Sequence, residues 1–178
     1  MNKQQRTQQR PINMKLSKGF APQAQPDARI LILGSMPGVA SLNASEYYAF
    51  AHNVFWRIMG DLYQAGPEKN YDSRLHILAS NQIALWDVIQ SCHRPGSLDS
   101  SISTEGMICN DFESFFAKHP SIIQVCFNGQ KAAKLFKKYV QAHLHNRIKC
   151  LTLPSTSPAH AASSHAQKLE AWSVIRNR

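Results

Sequence analysis

Acidic residues are scarce in this chain, which has 11 Asp and Glu against 20 Lys and Arg and a formal net charge of +9. An excess of cations favours an anionic partner such as a nucleic acid. The excess is concentrated at one end, because residues 1–18 contain five Lys or Arg and no acid. We interpret residues 1–18 as a flexible basic tail and residues 19–178 as a single domain, since a chain of this length suits one core better than two.

Cysteines and long apolar runs are also few. The four cysteines form no C-x-x-C pair, which argues against a zinc ribbon, a thioredoxin-type site or an iron–sulfur cluster. No stretch approaches the roughly 20 apolar residues of a membrane span, and the first 15 residues lack the apolar core of a secretory signal. These absences predict a soluble, cytoplasmic protein with reduced thiols, no metal site and no membrane partner.

Short apolar segments alternate with amphipathic ones along the rest of the chain. The apolar segments predict strands at residues 29–34, 82–89, 121–127 and 147–153. Helical spacing of apolar residues predicts helices from residue 53, over 71–80, 111–118 and 130–144, and from residue 158 onward. Strands that alternate with helices predict an α/β fold, with a parallel sheet covered by helices on both faces.

Two loops rich in Gly, Pro and Ser follow the first and the fourth predicted strands. The first reads Gly34-Ser35-Met36-Pro37-Gly38, and glycine lets its backbone approach a ligand closely. The second reads Pro154-Ser155-Thr156-Ser157-Pro158, with three hydroxyls at a predicted helix start, where free N–H groups suit a phosphate. Because such loops meet at the carboxyl edge of a parallel sheet, we predict phosphate or DNA binding by Ser35, Gly38, Ser155, Thr156 and Ser157. A tight turn and simple helix capping are the alternatives.

Three further features supply candidate functional side chains. Asn53 stands where a helix begins, so it is either an N-cap or a polar group of a site. Asp87 lies near the end of an otherwise apolar strand, where a carboxylate is costly unless it faces a site or pairs with a cation such as Arg94. An aromatic cluster in a loop either stacks on a base or closes the loop onto the core; it consists of Tyr47, Tyr48 and Phe50.

Four motifs occur in the chain in a fixed order: GSMPGVASLNASEYYAFAHNVFW, ALWDVIQSCHRPGSLDS, FNGQKA and LPSTSPAHA. Together they closely resemble the hypoxanthine-DNA glycosylases, the sixth family of the uracil-DNA glycosylase superfamily, over about residues 18–178. The resemblance implies a three-layer αβα sandwich around a four-stranded parallel sheet. It also implies monofunctional cleavage of an N-glycosidic bond without metal or cofactor. We expect DNA containing a deaminated base as the partner and a monomeric enzyme.

The resemblance also implies roles for single residues. The family's catalytic Asn lies between YYA and FW, which here is Asn53. Related enzymes carry an Asp or Asn in the first loop, but Ser35-Met36-Pro37 has neither, and Leu153 stands where the classical uracil enzymes have a His. Asp87 falls where relatives place a base-reading Asn. If ionised, it would accept a hydrogen bond from N1–H of hypoxanthine and reject adenine, which has no N1–H.

The expected substrate is therefore deoxyinosine, flipped out of the duplex so that its base, hypoxanthine, is removed in base excision repair. A uracil enzyme, or one specific for thymine or uracil opposite guanine, is the first alternative, because one pocket residue can change base choice. A DNA-binding relative without catalysis is the second alternative, and a small-molecule nucleosidase is the third.

Overall fold

The structure is a computed structural model that describes residues 16–141 and 148–176. Its strands are β1 (Leu16–Lys18), β2 (Ile30–Gly34), β3 (Ile83–Asp87), β4 (Ile89–His93), β5 (Ile108–Cys109), β6 (Gln124–Asn128) and β7 (Lys149–Leu153). Its α-helices are α1 (Val39–Ala44), α2 (Phe55–Tyr63), α3 (Tyr71–Ser80), α4 (Phe112–Lys118), α5 (Gln130–Tyr139) and α6 (His165–Trp172).

Four parallel strands in the order β3-β2-β6-β7 form the central sheet. Strand β2 pairs with both β3 and β6, in a register that places Gly34 opposite Asp87. All five residues of β2 and all five of β3 are buried, as their apolar sequences indicate. The predicted four-stranded parallel sheet is confirmed.

Helices cover both faces of this sheet, because alternate residues of each strand point to opposite sides. On one face, Leu33 belongs to the apolar cluster that contains Phe136 of α5 and the aromatic residues of α4. On the other face, Ile32 belongs to the cluster that contains Phe55 of α2 and Trp172 of α6. The three-layer αβα sandwich is therefore confirmed.

A second, antiparallel sheet of three short strands, in the order β1-β4-β5, was not predicted. The segment predicted as one strand over 82–89 divides into β3 and β4, and β4 leaves the central sheet to pair with β1 and β5. Periodicity could not show the division, because Val88 and Ile89 continue the apolar run from the end of β3 into the start of β4. Residues 16–18, assigned above to the tail, form β1. Residues 1–15 lie outside the described residues, so a flexible tail there stays a prediction.

The last helix begins later than predicted. Helix α6 starts at His165, where Ser164 and Gln167 form a capping box, and residues 157–163 form bends and turns. Pro158 is therefore not a first helical residue, and Ser157 is not the N-cap of a helix. The expected helix N-terminus beside the Ser-rich loop is absent from the described residues.

Two smaller differences concern helix lengths. The helix predicted over 130–144 ends at Tyr139, and residues 142–147 lie outside the described residues. The long loop after β2 contains the six-residue helix α1. No helix in the described ranges is long and apolar enough to cross a membrane.

Candidate active site

A pocket of about 570 Å³ lies at the carboxyl edge of the central sheet. Its wall combines the segments after β2 and β7 with the last residues of β3 and β6. Parallel strands bring these distant segments to one edge. The candidate residues selected from the sequence all line this pocket: Ser35, Gly38, Tyr47, Tyr48, Phe50, Asn53, Asp87, Ser155, Thr156 and Ser157.

Asp87, the last residue of β3, is 4% exposed, and its Oδ2 atom has no hydrogen-bond partner among the described residues. Burial raises the pKa of Asp87 to about 7; the Asp99 carboxylate adds to the rise and the Arg94 guanidinium opposes it. Arg94 forms no ion pair with Asp87. Its guanidinium instead donates hydrogen bonds to the carbonyls of Met36, at 3.4 Å, and Pro37. The alternative of an Asp87–Arg94 ion pair is therefore wrong.

We call residues 94–99, which follow β4, the 94–99 loop. Its hydrogen bonds hold the loop after β2 in position. Besides Arg94, the backbone N–H of Val39 donates to Ser97 Oγ at 2.9 Å. Ser35 Oγ donates to Asp99 Oδ1 at 2.5 Å. Ser35 is only 7% exposed, and its hydroxyl already donates to the Asp99 carboxylate. A nearby carboxylate also repels a phosphate, so Ser35 is better placed to hold Asp99 than to bind DNA.

Asn53 lies just before α2, whose N-cap is Val54. The Asn53 Oδ1 atom accepts a hydrogen bond from the backbone N–H of Phe55 at 3.0 Å. Asn53 is therefore not the N-cap, although its side-chain oxygen satisfies one backbone N–H at the start of the helix. Since an N–H must be matched by an acceptor, this contact also fixes the orientation of the amide. It leaves the Nδ2 group as the part that can donate to a ligand in the pocket.

The three aromatic candidates have different environments. Tyr47 is 3% exposed, packs edge-on against Phe20 and donates its hydroxyl to Ala21 O, so it belongs to the core. Tyr48 stacks on Phe55 with ring centroids 3.9 Å apart, and burial raises the pKa of Tyr48 well above its usual range. Phe50 is 48% exposed, which makes it the candidate that is free to stack on a base.

Thr156 is fully buried and serves as the anchor of the loop after β7. Asn128 Nδ2 donates to Thr156 Oγ1 at 2.8 Å, and Asn128 Oδ1 accepts from Thr156 N at 2.8 Å. Thr156 O accepts from the backbone N–H of Val54 at 3.1 Å, which joins this loop to the Asn53 segment. Because Thr156 is buried and its polar atoms are hydrogen-bonded within the protein, it holds the shape of the loop. Any phosphate contact therefore has to come from the more exposed residues of the loop.

Ser155 and Ser157 remain the candidates for that contact. The backbone N–H of Ser157 donates to Ser155 Oγ at 3.2 Å, so the loop turns tightly on itself. Gly129, with φ +95°, allows Ser155 to approach, because a Cβ at position 129 would lie 2.9 Å from the Ser155 Cβ. Glycine at this strand end therefore brings the loops after β6 and β7 together.

Asn128 and Asp99 are polar pocket residues with contacts to the site that were not selected from the sequence. Asn128 is the last residue of β6, within the motif FNGQKA, and a polar side chain at a strand end was the signal available. Asp99 begins a short 3₁₀ turn in the motif GSLDS, and nothing in its spacing distinguished it from an ordinary loop carboxylate. Both residues could be recognised as part of the site only from the tertiary structure, which brings the ends of the strands together.

Comparison with known proteins agrees with this geometry. The family model of the uracil DNA glycosylase superfamily matches residues 21–176. A solution NMR structure of a Methanosarcina acetivorans protein, assigned to the uracil DNA glycosylases, superposes with a TM-score of 0.76 at 32% identity, covering 92% of this chain and 98% of that one. The chain therefore belongs to the uracil-DNA glycosylase superfamily, and it is a DNA glycosylase.

Two curated relatives are similar to this chain over most of its length. Both are named hypoxanthine DNA glycosylase. The protein of Methanosarcina acetivorans is 32% identical over 163 residues, which cover 91% of this chain and 99% of the relative. The protein of Methanosarcina barkeri is 36% identical over 118 residues, which cover 66% of this chain and 73% of the relative.

Proposed function

We propose that this enzyme removes hypoxanthine from DNA by hydrolysing the N-glycosidic bond of a flipped-out deoxyinosine. The names of the two Methanosarcina relatives support this base. The observation that carries the proposal is the buried, unpartnered Oδ2 of Asp87 in the pocket wall. A buried polar atom without a partner is costly, so a ligand that donates to it is favoured.

Asp87 would read the base by its hydrogen-bonding pattern. Hypoxanthine carries a hydrogen on N1, whereas adenine presents a lone pair there. An ionised carboxylate accepts from the first and repels the second. With a pKa of about 7, Asp87 is poised near neutral pH, and an N1–H donor favours its ionised form. This ionised form rejects normal adenine by unpaired lone pairs rather than by pocket size.

Access to the pocket requires base flipping, at a cost of a few kcal/mol that is lower for an imperfectly paired base. Phe50, exposed at the pocket, offers a face on which the purine can stack. Ser155 and Ser157 would contact the backbone of the flipped nucleotide. Thr156 and Asn128 fix the loop that carries them.

Cleavage breaks the bond between C1′ and the base nitrogen, and the sugar becomes oxocarbenium-like. Asn53 is neutral, so it is not a strong base. Its Nδ2 group would donate to the oxygen of a water and hold that water toward C1′. Fixed dipoles in a pocket from which DNA excludes water would stabilise the departing base. We further propose that the enzyme acts as a monomer in the cytoplasm, on nucleoid DNA.

One assay tests the proposed base. Matched oligonucleotides that differ only in one hypoxanthine, uracil, xanthine or adenine are cut under single-turnover conditions, each as single and as double strand. We expect the highest rate on hypoxanthine and none on adenine. A higher rate on uracil than on hypoxanthine would instead support the uracil alternative, which superfamily membership keeps open.

A further inference from the structure

The orientation of Asn53 leaves one step of the proposed hydrolysis without a group to perform it. A water that attacks C1′ loses a proton, so an acceptor must stand beside it. The Asn53 oxygen is engaged by the N–H of Phe55 at 3.0 Å, and an amide oxygen is a very weak base. The Nδ2 group only donates. Asn53 can therefore position a water but cannot take its proton.

Besides the imidazole of His160, which is exposed on the loop after β7, the bases that this pocket offers are carboxylates. Among the residues that line it, Asp87 and Asp99 carry carboxylates. Asp87 is nearly fully buried at the end of β3, where it is suited to reading the base. Asp99 is partly exposed, begins the 3₁₀ turn of residues 99–101 and uses Oδ1 to accept from Ser35. Within the part of the chain that the structure describes, its Oδ2 accepts no hydrogen bond and is left for a second partner.

The position of Asp99 is fixed rather than left to a mobile loop. The 94–99 loop is joined to the loop after β2 by Arg94, by Ser97 and by Asp99 itself. The 2.5 Å hydrogen bond from Ser35 is one of several contacts that orient this carboxylate, and together they place it for proton transfer.

We infer that Asp99 is a catalytic residue that accepts a proton from the attacking water, while Asn53 donates a hydrogen bond to the same water. The inference rests on the proposed glycosylase reaction and adds a residue to it. The bond from C1′ to the base breaks and its electron pair leaves with the base. The water oxygen bonds to C1′, and one water proton passes to the Asp99 carboxylate. That proton then passes to the departed base or to solvent, so one water is consumed.

The decisive comparison is between Asp99→Asn and Ser35→Ala. Asp99→Asn keeps the shape and removes the base, so we expect the single-turnover rate to fall about 10²–10³-fold. The dissociation constant for DNA with a stable abasic-site analogue should change less than about threefold. Ser35→Ala removes only the hydrogen bond to Asp99, and we expect a much smaller loss. Ser97→Ala serves as the control for a loosened 94–99 loop.

Chemical rescue supplies a second readout that a structural role would not give. Added formate should restore part of the rate of Asp99→Ala, because a small carboxylate can enter the space of the missing side chain. It should not restore Asn53→Ala. This test decides the role of Asp99 even if the 94–99 loop changes conformation in the Asp99→Asn variant, because absence of rescue by formate would contradict the inference.

The outcomes separate the two proposals. If the wild type cuts uracil instead of hypoxanthine, the variants are compared on uracil, since water activation does not depend on the base. A wild type that cuts no base would overturn the proposed function and this inference together. An active wild type with an unimpaired Asp99→Asn overturns this inference alone. A loss in Ser35→Ala equal to that in Asp99→Asn also overturns it, because Asp99 would then act only through Ser35.

Discussion

Gly34 and Asp87 stand opposite each other in the neighbouring strands β2 and β3, and the Asp87 carboxylate occupies the space that a Cβ at position 34 would need. The absence of a side chain on Gly34 therefore allows a buried carboxylate at the edge of the sheet. This relationship explains why a strand rich in apolar residues ends in glycine. It makes the two positions energetically coupled.

Gly34→Ala should disturb the pocket through Asp87. The new methyl group would displace the carboxylate, so we expect a loss of about 1–3 kcal/mol of stability from overpacking and at least a tenfold lower cleavage rate. In an Asp87→Ser background the same substitution should cost much less stability. Urea denaturation of the four proteins of this cycle measures the coupling energy. Equal costs in both backgrounds would show that residue 34 and Asp87 do not compete for space.

The Asn53 side chain supports the start of α2 and, in the proposed reaction, positions a water; two substitutions separate these roles. Asn53→Ala loses both the contact to Phe55 N and the Nδ2 donors. It should lose about 1 kcal/mol of stability and about 10²–10³ in single-turnover rate. Asn53→Ser keeps an acceptor for the helix start, so its melting temperature should stay near that of the wild type while its rate falls as in Asn53→Ala. A Ser variant with a normal rate would mean that the amide donors are not needed.

Asp87→Asn should gain stability at neutral pH. The pKa of Asp87 is raised from 3.8 to about 7 in the folded protein. Between these values the unfolded chain releases a proton that the folded chain retains, so this group lowers stability as pH rises from about 4 to about 7. Asn does not ionise, so the stability of the variant has no such pH dependence at this position. The variant should match the wild type near pH 4 and exceed it by roughly 1–4 kcal/mol at pH 8, as urea denaturation at both values can measure.

The same variant should lose selectivity for the base. Asn can rotate to donate as well as accept, so adenine is no longer faced only by lone pairs. One mismatched buried group is worth about 1–3 kcal/mol, or roughly 5- to 150-fold in relative rate. The measurement is the ratio of single-turnover rates on hypoxanthine and adenine at pH 8, with the ratio of hypoxanthine to uracil as a control for pocket size. Unchanged ratios and rates would mean that Asp87 does not read the base.

Deletion of residues 2–15 should weaken DNA binding and leave the chemical step intact. The deleted segment carries four Lys or Arg and no acid, and it ends before β1, so the pairing of Leu16 with His93 is kept. If all four cations contact phosphates, the slope of log K against log salt should fall in magnitude by about 3.6. A variant with the same four residues changed to Gln gives the matched control. A slope equal to that of the wild type would exclude the tail as a DNA contact.

The sequence by itself determined the αβα class and the location of the pocket. Segments such as Ile30–Gly34 are apolar throughout, and a fully apolar run followed by a Gly-rich loop is typical of a buried parallel strand. Because carboxyl ends of such strands meet at one edge, the sequence assigned the loops after β2 and β7 to one pocket, while it left Asp87 open between that pocket and a pair with Arg94. These features depend on local pattern and on a general rule of topology.

The tertiary structure alone decided which atoms remain for chemistry. Whether Arg94 pairs with Asp87 or binds the carbonyls of the first loop depends on where β4 leaves the sheet, and no periodicity marks that point. The same holds for Ser35, whose hydroxyl donates to Asp99, and for Thr156, whose hydroxyl accepts a hydrogen bond from Asn128. Hydrogen-bond partners distant in sequence are chosen by the packing of whole segments, because most buried polar atoms take a partner that the assembled fold brings within about 3 Å.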